Sequence, residues 1–100
     1  MRKTTPETSL KRSARDFLRV YGIWTFPVTQ GLGSHPGIAD RLGVHEGKAI
    51  AIEFKSRHGY LSAYQEQFKK DWETHGGLYI TCRTIEDIAK ALGIKTLGIL

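Results

Sequence analysis

Ile38-Ala39-Asp40-Arg41-Leu42-Gly43-Val44-His45, then Glu46-Gly47, then Lys48-Ala49-Ile50-Ala51-Ile52-Glu53-Phe54-Lys55: this run decides how the chain folds. Its two arms have strand length and Glu46-Gly47 is a tight-turn signal, so residues 38–45 and 48–55 predict an antiparallel hairpin. With the turn centred there, paired positions sum to about 93 and Asp40 falls across from Glu53; a one-residue slip would turn one carboxylate away. Period-two geometry sends Glu53 and Lys55 to one face of the second arm and Ile50, Ile52 and Phe54 to the other.

Thr5-Pro6-Glu7 reads as a helix start, with Thr5 capping, Pro6 at the first helical position and Glu7 against the positive end. Leu10, Ala14, Phe17, Leu18 and Tyr21 recur at helical spacing, Lys11, Arg12, Arg15 and Arg19 fill much of the remaining surface, and Gly22 ends the helix. Residues 23–29 are strand-like, but Pro27 cannot donate a ladder hydrogen bond and belongs at an edge or bulge. Residues 30–37 form a glycine-rich loop, expected to be mobile without a ligand, that delivers the chain to Asp40.

After a linker over 56–61, Ser62-Ala63-Tyr64-Gln65 has cap spacing, Tyr64, Phe68 and Trp72 supply a buried stripe, and Gly76-Gly77 stops the helix. Residues 78–82 are a short strand. A last helix over 84–92 has Thr84 and Asp87 as its cap pair, Ile85, Ile88, Ala89 and Leu92 inward and Gly93 at its end. The apolar residues 94–100 are open between a packed strand and a partner contact. The predicted element order is α-β-β-β-α-β-α.

One hundred residues support a single domain, 1–100, with room for one site. Cys82 stands alone, which excludes an internal disulfide and fits a reducing, cytoplasmic setting; no apolar segment reaches the roughly 20 residues of a bilayer span, and the first residues lead into no secretory signal. The formal charge of +5 is concentrated early: residues 1–20 carry Arg2, Lys3, Lys11, Arg12, Arg15 and Arg19 against Glu7 and Asp16. That balance is solubilising charge or a surface for a polyanion such as DNA.

Folding does not ask for Glu53 in so apolar a strand, because an acid buried without a partner costs several kcal/mol or loses its proton. Two readings follow. Either Glu53 pairs with Lys55 or Arg41 on a solvated face, with Asp40 a turn residue and Lys55 a surface lysine. Or Asp40 and Glu53 converge on Mg²⁺ or Mn²⁺, the Phe54 carbonyl adds an oxygen, and Lys55 serves the attacking water or the phosphate of a phosphodiester hydrolase.

Gly37-Ile38-Ala39-Asp40, Ile52-Glu53-Phe54-Lys55 and Gly59-Tyr60-Leu61-Ser62-Ala63-Tyr64-Gln65-Glu66-Gln67-Phe68 together resemble the VRR-NUC (virus-type replication-repair nuclease) family of the PD-(D/E)xK superfamily. The resemblance spans nearly the whole chain. It implies a restriction-endonuclease-like α/β (α+β) core, a mixed β-sheet flanked by helices, and metal-dependent endonucleolytic cleavage of DNA with Asp40, Glu53 and Lys55 catalytic. It implies further that Gln65 is the glutamine opening the helix after the catalytic strand, and that Glu7 is the first-helix acid completing the metal site. Ala39 replaces the proline of the superfamily name, at a position whose side chain does not bind metal.

Gln65 also has a capping explanation, and Glu7 is favourable in a first turn without any metal. Standalone members of the family are phage-type proteins resembling resolvases, which implies branched DNA such as a Holliday junction as substrate. One site makes one cut, so a homodimer is the economical route to paired incisions. His35, His45, His58 and His75 make no zinc spacing, Ser34 has no evident base partner, and Gly31, Gly33 and Gly37 lack the lysine of a nucleotide-binding loop. Two other classes remain: a non-catalytic basic nucleic-acid-binding domain, and a structural subunit docked through its apolar tail.

Overall fold

A computed structural model describes residues 5–95. The elements run α1 (Pro6–Val20), β1 (Trp24–Pro27), β2 (Arg41–His45), β3 (Lys48–Phe54), α2 (Ala63–Thr74), β4 (Leu78–Cys82) and α3 (Ile85–Ala91), the order read from the sequence. Residues 96–100 of the apolar tail, and Arg2 and Lys3 of the basic segment, lie outside the described residues.

The hairpin is as read. Glu46 and Gly47 both have positive φ, 50° and 78°, the backbone of the turn that matches strand twist. Arg41 pairs with Ile52 and His45 with Lys48, so the register extrapolates to Asp40 opposite Glu53. The strands are shorter than expected: β2 begins at Arg41, after Asp40, and β1 covers only residues 24–27 of the predicted 23–29. The sheet order is β1-β2-β3-β4, which puts Pro27 on an edge strand, where its missing N–H is tolerated. β3 pairs antiparallel with β2 and parallel with β4, and α2 is the crossover a parallel pair requires.

Alternation along β3 splits the interior into two layers. Ile50, Ile52 and Phe54 pack with Ala14, Phe17 and Leu18 of α1 and Ile88 and Ala89 of α3. Ala51 packs with Tyr79 and with Phe68 of α2 on the opposite face. Ile94 packs at the margin of the first layer, its N–H bonded to the Ala89 carbonyl at 2.8 Å.

Two aromatic assignments are corrected. Tyr64 is 70% exposed, leaving the buried stripe of α2 to Phe68 and partly buried Trp72. Tyr21 is the C-cap of α1 and is exposed, its ring tilted by 40° against that of Phe17 at 4.6 Å between centroids. Ala49 is exposed beside the turn.

The caps position the site. Thr5 Oγ1 accepts from the Thr8 N–H at 3.1 Å with Pro6 next in line. Asp87 Oδ2 accepts from the Arg83 and Thr84 N–H groups at 2.8 and 2.9 Å. Ser62 and Gln65 form a reciprocal capping box at 3.2 and 2.9 Å, fixing the start of α2.

Candidate active site

Asp40 sits where β2 and β3 separate. Its carbonyl accepts from the Val28 N–H at 2.8 Å, its Oδ2 from the Phe54 N–H at 2.9 Å and its Oδ1 from Gln30 Nε2 at 3.2 Å. Since a strand residue's N–H and C=O point to the same side, the Phe54 carbonyl shares that edge with Asp40.

Glu53 is 3% exposed, the one buried charged side chain among the described residues. Its Oε2 accepts from Gln65 Nε2 at 3.2 Å, and its Oε1 has no hydrogen-bond partner. Burial first, then the nearby charge of Asp40, push its pKa up to about 8, against a smaller opposing pull from Lys55 and Lys11. Without a cation, two carboxylates this close cannot both stay ionised cheaply. No Glu53–Lys55 or Glu53–Arg41 ion pair occurs within 4.0 Å among the described residues, which removes the solvated-pair reading of Glu53.

An orphaned carboxylate oxygen, a neighbouring aspartate and a strand carbonyl form an oxygen donor set that suits a hard divalent ion keeping several waters. Glu7 is not part of that group. Among the described residues no three His, Cys, Asp or Glu side chains gather in metal-binding array, and Glu7 pairs with Lys11 at 3.3 Å, one turn along its own helix. Glu7 does border a hollow of about 350 Å³ shared with Lys55 and Arg83. Lys55 follows β3, its N–H bonded to the Cys82 carbonyl at 3.0 Å, and its ammonium has no acidic partner within 4.0 Å among the described residues.

Gln65 closes the helix cap through its Oε1, as its capping explanation expects, and its Nε2 donates to Glu53. Lys11, Arg12 and Arg15 line a second hollow, of about 400 Å³, with Asp40, Arg41 and Phe54. Arg19 lies further along the exposed side of α1.

Three residues at the site escaped the sequence reading. Gln30 ties the loop to its own base, donating to the Ile38 carbonyl at 2.8 Å as well as to Asp40. Nothing in a breaker-rich loop singles it out. Tyr79 has a buried hydroxyl without a partner. Burial and the charge of Glu53 hold this phenol above its usual range, and alternation on β4 opposite Ala51 was its available signal. Arg41 was weighed only as an ion-pair partner for Glu53. It instead donates from Nε to Thr25 Oγ1 at 3.0 Å.

The loop is closed on itself by Gly31–Ser34 and His35–Ile38 hydrogen bonds. Gly37, at φ 74°, lies so close to the Tyr64–Gln65 peptide that a Cβ would overlap the Tyr64 carbonyl. The His35 ring meets Phe68 edge-on at 5.7 Å, supporting its reading as a loop residue. Cys82 is buried, its Sγ donates to the Thr84 carbonyl at 3.3 Å, and burial pushes its thiol up to about 12, as suits core packing. No helix among the described residues is long and apolar enough to cross a membrane. No protein-family model, curated protein or solved structure matches the chain.

Proposed function

We propose that this protein is a divalent-metal-dependent DNA endonuclease of the PD-(D/E)xK type. The observation that carries the reading is Glu53: a buried carboxylate beside Asp40, with one oxygen held by Gln65 and the other unpartnered, is explained most simply as half of a cation site. Asp40, Glu53 and the Phe54 carbonyl hold the ion. When bound, Mg²⁺ or Mn²⁺ supplies the Lewis-acid charge that a phosphodiester requires for hydrolysis.

The remaining steps belong to the chain. Gln65 fixes the rotamer of Glu53, and the Phe54 N–H with Gln30 fixes that of Asp40, so the carboxylates are oriented before substrate arrives. Lys55, free of an acidic partner among the described residues, orients the attacking water or stabilises charge growing on the phosphate. Lys11, Arg12, Arg15 and Arg19 neutralise backbone phosphates without reading bases. A homodimer supplies the second cut on duplex or branched DNA.

The test is incubation of purified protein with a four-way junction and a linear duplex of matched sequence in Mn²⁺ and in EDTA. Cutting should require the metal and disappear in Glu53→Gln and Lys55→Ala, both with retained folding. An undiminished rate in either variant sinks the assignment. Equal cutting of both DNAs removes junction preference alone, and metal-insensitive binding without cutting points to the non-catalytic alternative.

A further inference from the structure

We propose that Arg41 is a phosphate clamp, its guanidinium anchored by Thr25 so that its terminal amines receive a DNA backbone phosphodiester in the hollow between α1 and the Asp40 edge of the sheet. This rests on the nuclease reading for its choice of ligand, but the geometry is independent of any metal. Arg41 opens β2 and is only partly exposed. Its Nε donates to Thr25 Oγ1 at 3.0 Å, across the β1–β2 pairing, which removes freedom from the side chain and leaves the two terminal amines unassigned.

A partly buried guanidinium is ordinarily matched by a carboxylate. None lies within 4.0 Å of Arg41 among the described residues. The hollow it lines takes three further cations, Lys11, Arg12 and Arg15, against one acid, Asp40. Asp40 lines the same hollow, so a phosphate held there would share that hollow with one carboxylate of the candidate cation site. The planar fork matches phosphate oxygens in pairs, a geometry lysine cannot reproduce.

Fluorescence anisotropy of a labelled duplex in EDTA, over a potassium chloride series, reads the clamp without any metal chemistry. Arg41→Ala should weaken binding about 10- to 100-fold at fixed salt and reduce the slope of log K against log salt by about one. Arg41→Lys should keep the slope while losing about 3- to 10-fold in affinity, and Thr25→Val should do the same by releasing the Nε anchor. Thermal unfolding checks that each variant is folded; a structural role alone would shift stability and leave the salt slope unchanged. Wild-type affinity and slope in folded Arg41→Ala overturns the proposal, and should that variant not fold, wild-type affinity in both Arg41→Lys and Thr25→Val overturns it instead. Cleavage in Mn²⁺ is scored separately: a wild-type protein that binds but never cuts refutes the hydrolase reading and leaves the anisotropy result to decide the clamp.

Discussion

Replacing Glu53 by Gln should make the metal-free protein more stable at alkaline pH. The carboxyl's pKa stands at about 8 in the folded state against its usual 4.5. Between those values the folded protein keeps a proton that the unfolded chain has released, so stability is full below about pH 4.5 and falls as pH rises through about 8. At about 1.4 kcal/mol per pH unit the window sets a ceiling of about 5 kcal/mol; relaxation and water at the open end of the sheet reduce this to about 2–4 kcal/mol.

For a domain of this size that is a large share of total stability, and with a urea dependence near 1.3 kcal/mol per molar it lowers the midpoint by about 1.5–3 M. The assay is urea unfolding in EDTA at about pH 5 and about pH 8.5, followed through Trp72, whose indole N–H bonds the Leu78 carbonyl at 3.1 Å. Wild type should lose stability across this window. Glu53→Gln, with no proton to lose, should change little and overtake it at the alkaline end. Mn²⁺ at about pH 8.5 should restore wild type by mass action and leave the variant unmoved. A wild-type midpoint flat to within about 0.5 M across the window, or an equal fall in Glu53→Gln, refutes the claim that a buried, uncompensated carboxylate sits there.

Other perturbations separate the supports of the site. Gln65→Ala removes both the cap and the hydrogen bond to Glu53, and should cost about 1–2 kcal/mol in urea unfolding together with a larger loss in Mn²⁺-dependent cleavage; Ser62→Ala should cost stability alone, by about 1 kcal/mol. Tyr79→Phe deletes a buried hydroxyl that has no partner and should raise stability by about 1 kcal/mol; a loss of that size would reveal an ordered water completing the site. Gly37→Ala drives a Cβ into the Tyr64 carbonyl at a left-handed φ, so unfolding should come at least about 2 kcal/mol more easily. An unchanged midpoint would mean the loop does not rest on α2.

The hairpin was legible because its turn chemistry and alternation agree: Glu46-Gly47 permits one turn, and Ile50, Ile52 and Phe54 accept only one inward face. Element order and the opposition of Asp40 to Glu53 followed from that register. What stayed hidden depends on contacts between segments distant in sequence. Gln30 meets Asp40 only because the loop between them closes on its own base, and Thr25 meets Arg41 only because β1 docks at the edge. Tyr64 misled because helical spacing groups residues on one face without fixing which of them are covered. Glu7 has the right charge in the right turn, but its carboxylate is paired with Lys11 one turn on.

Gly37 has a consequence for how this protein could change. Its backbone rests on the peptide that carries Gln65, while Gln30 from the other limb of the same loop holds Asp40. The two carboxylates are therefore set by a single clasp, and a shift at the loop's base moves both of their supports at once. Leu32, fully exposed at the tip, bears none of that burden. Insertions or substitutions around it can lengthen or recharge the loop without disturbing Asp40 or Glu53, so the tip is where descendants or designers can alter what the protein grips, while positions 30 and 37 stay fixed.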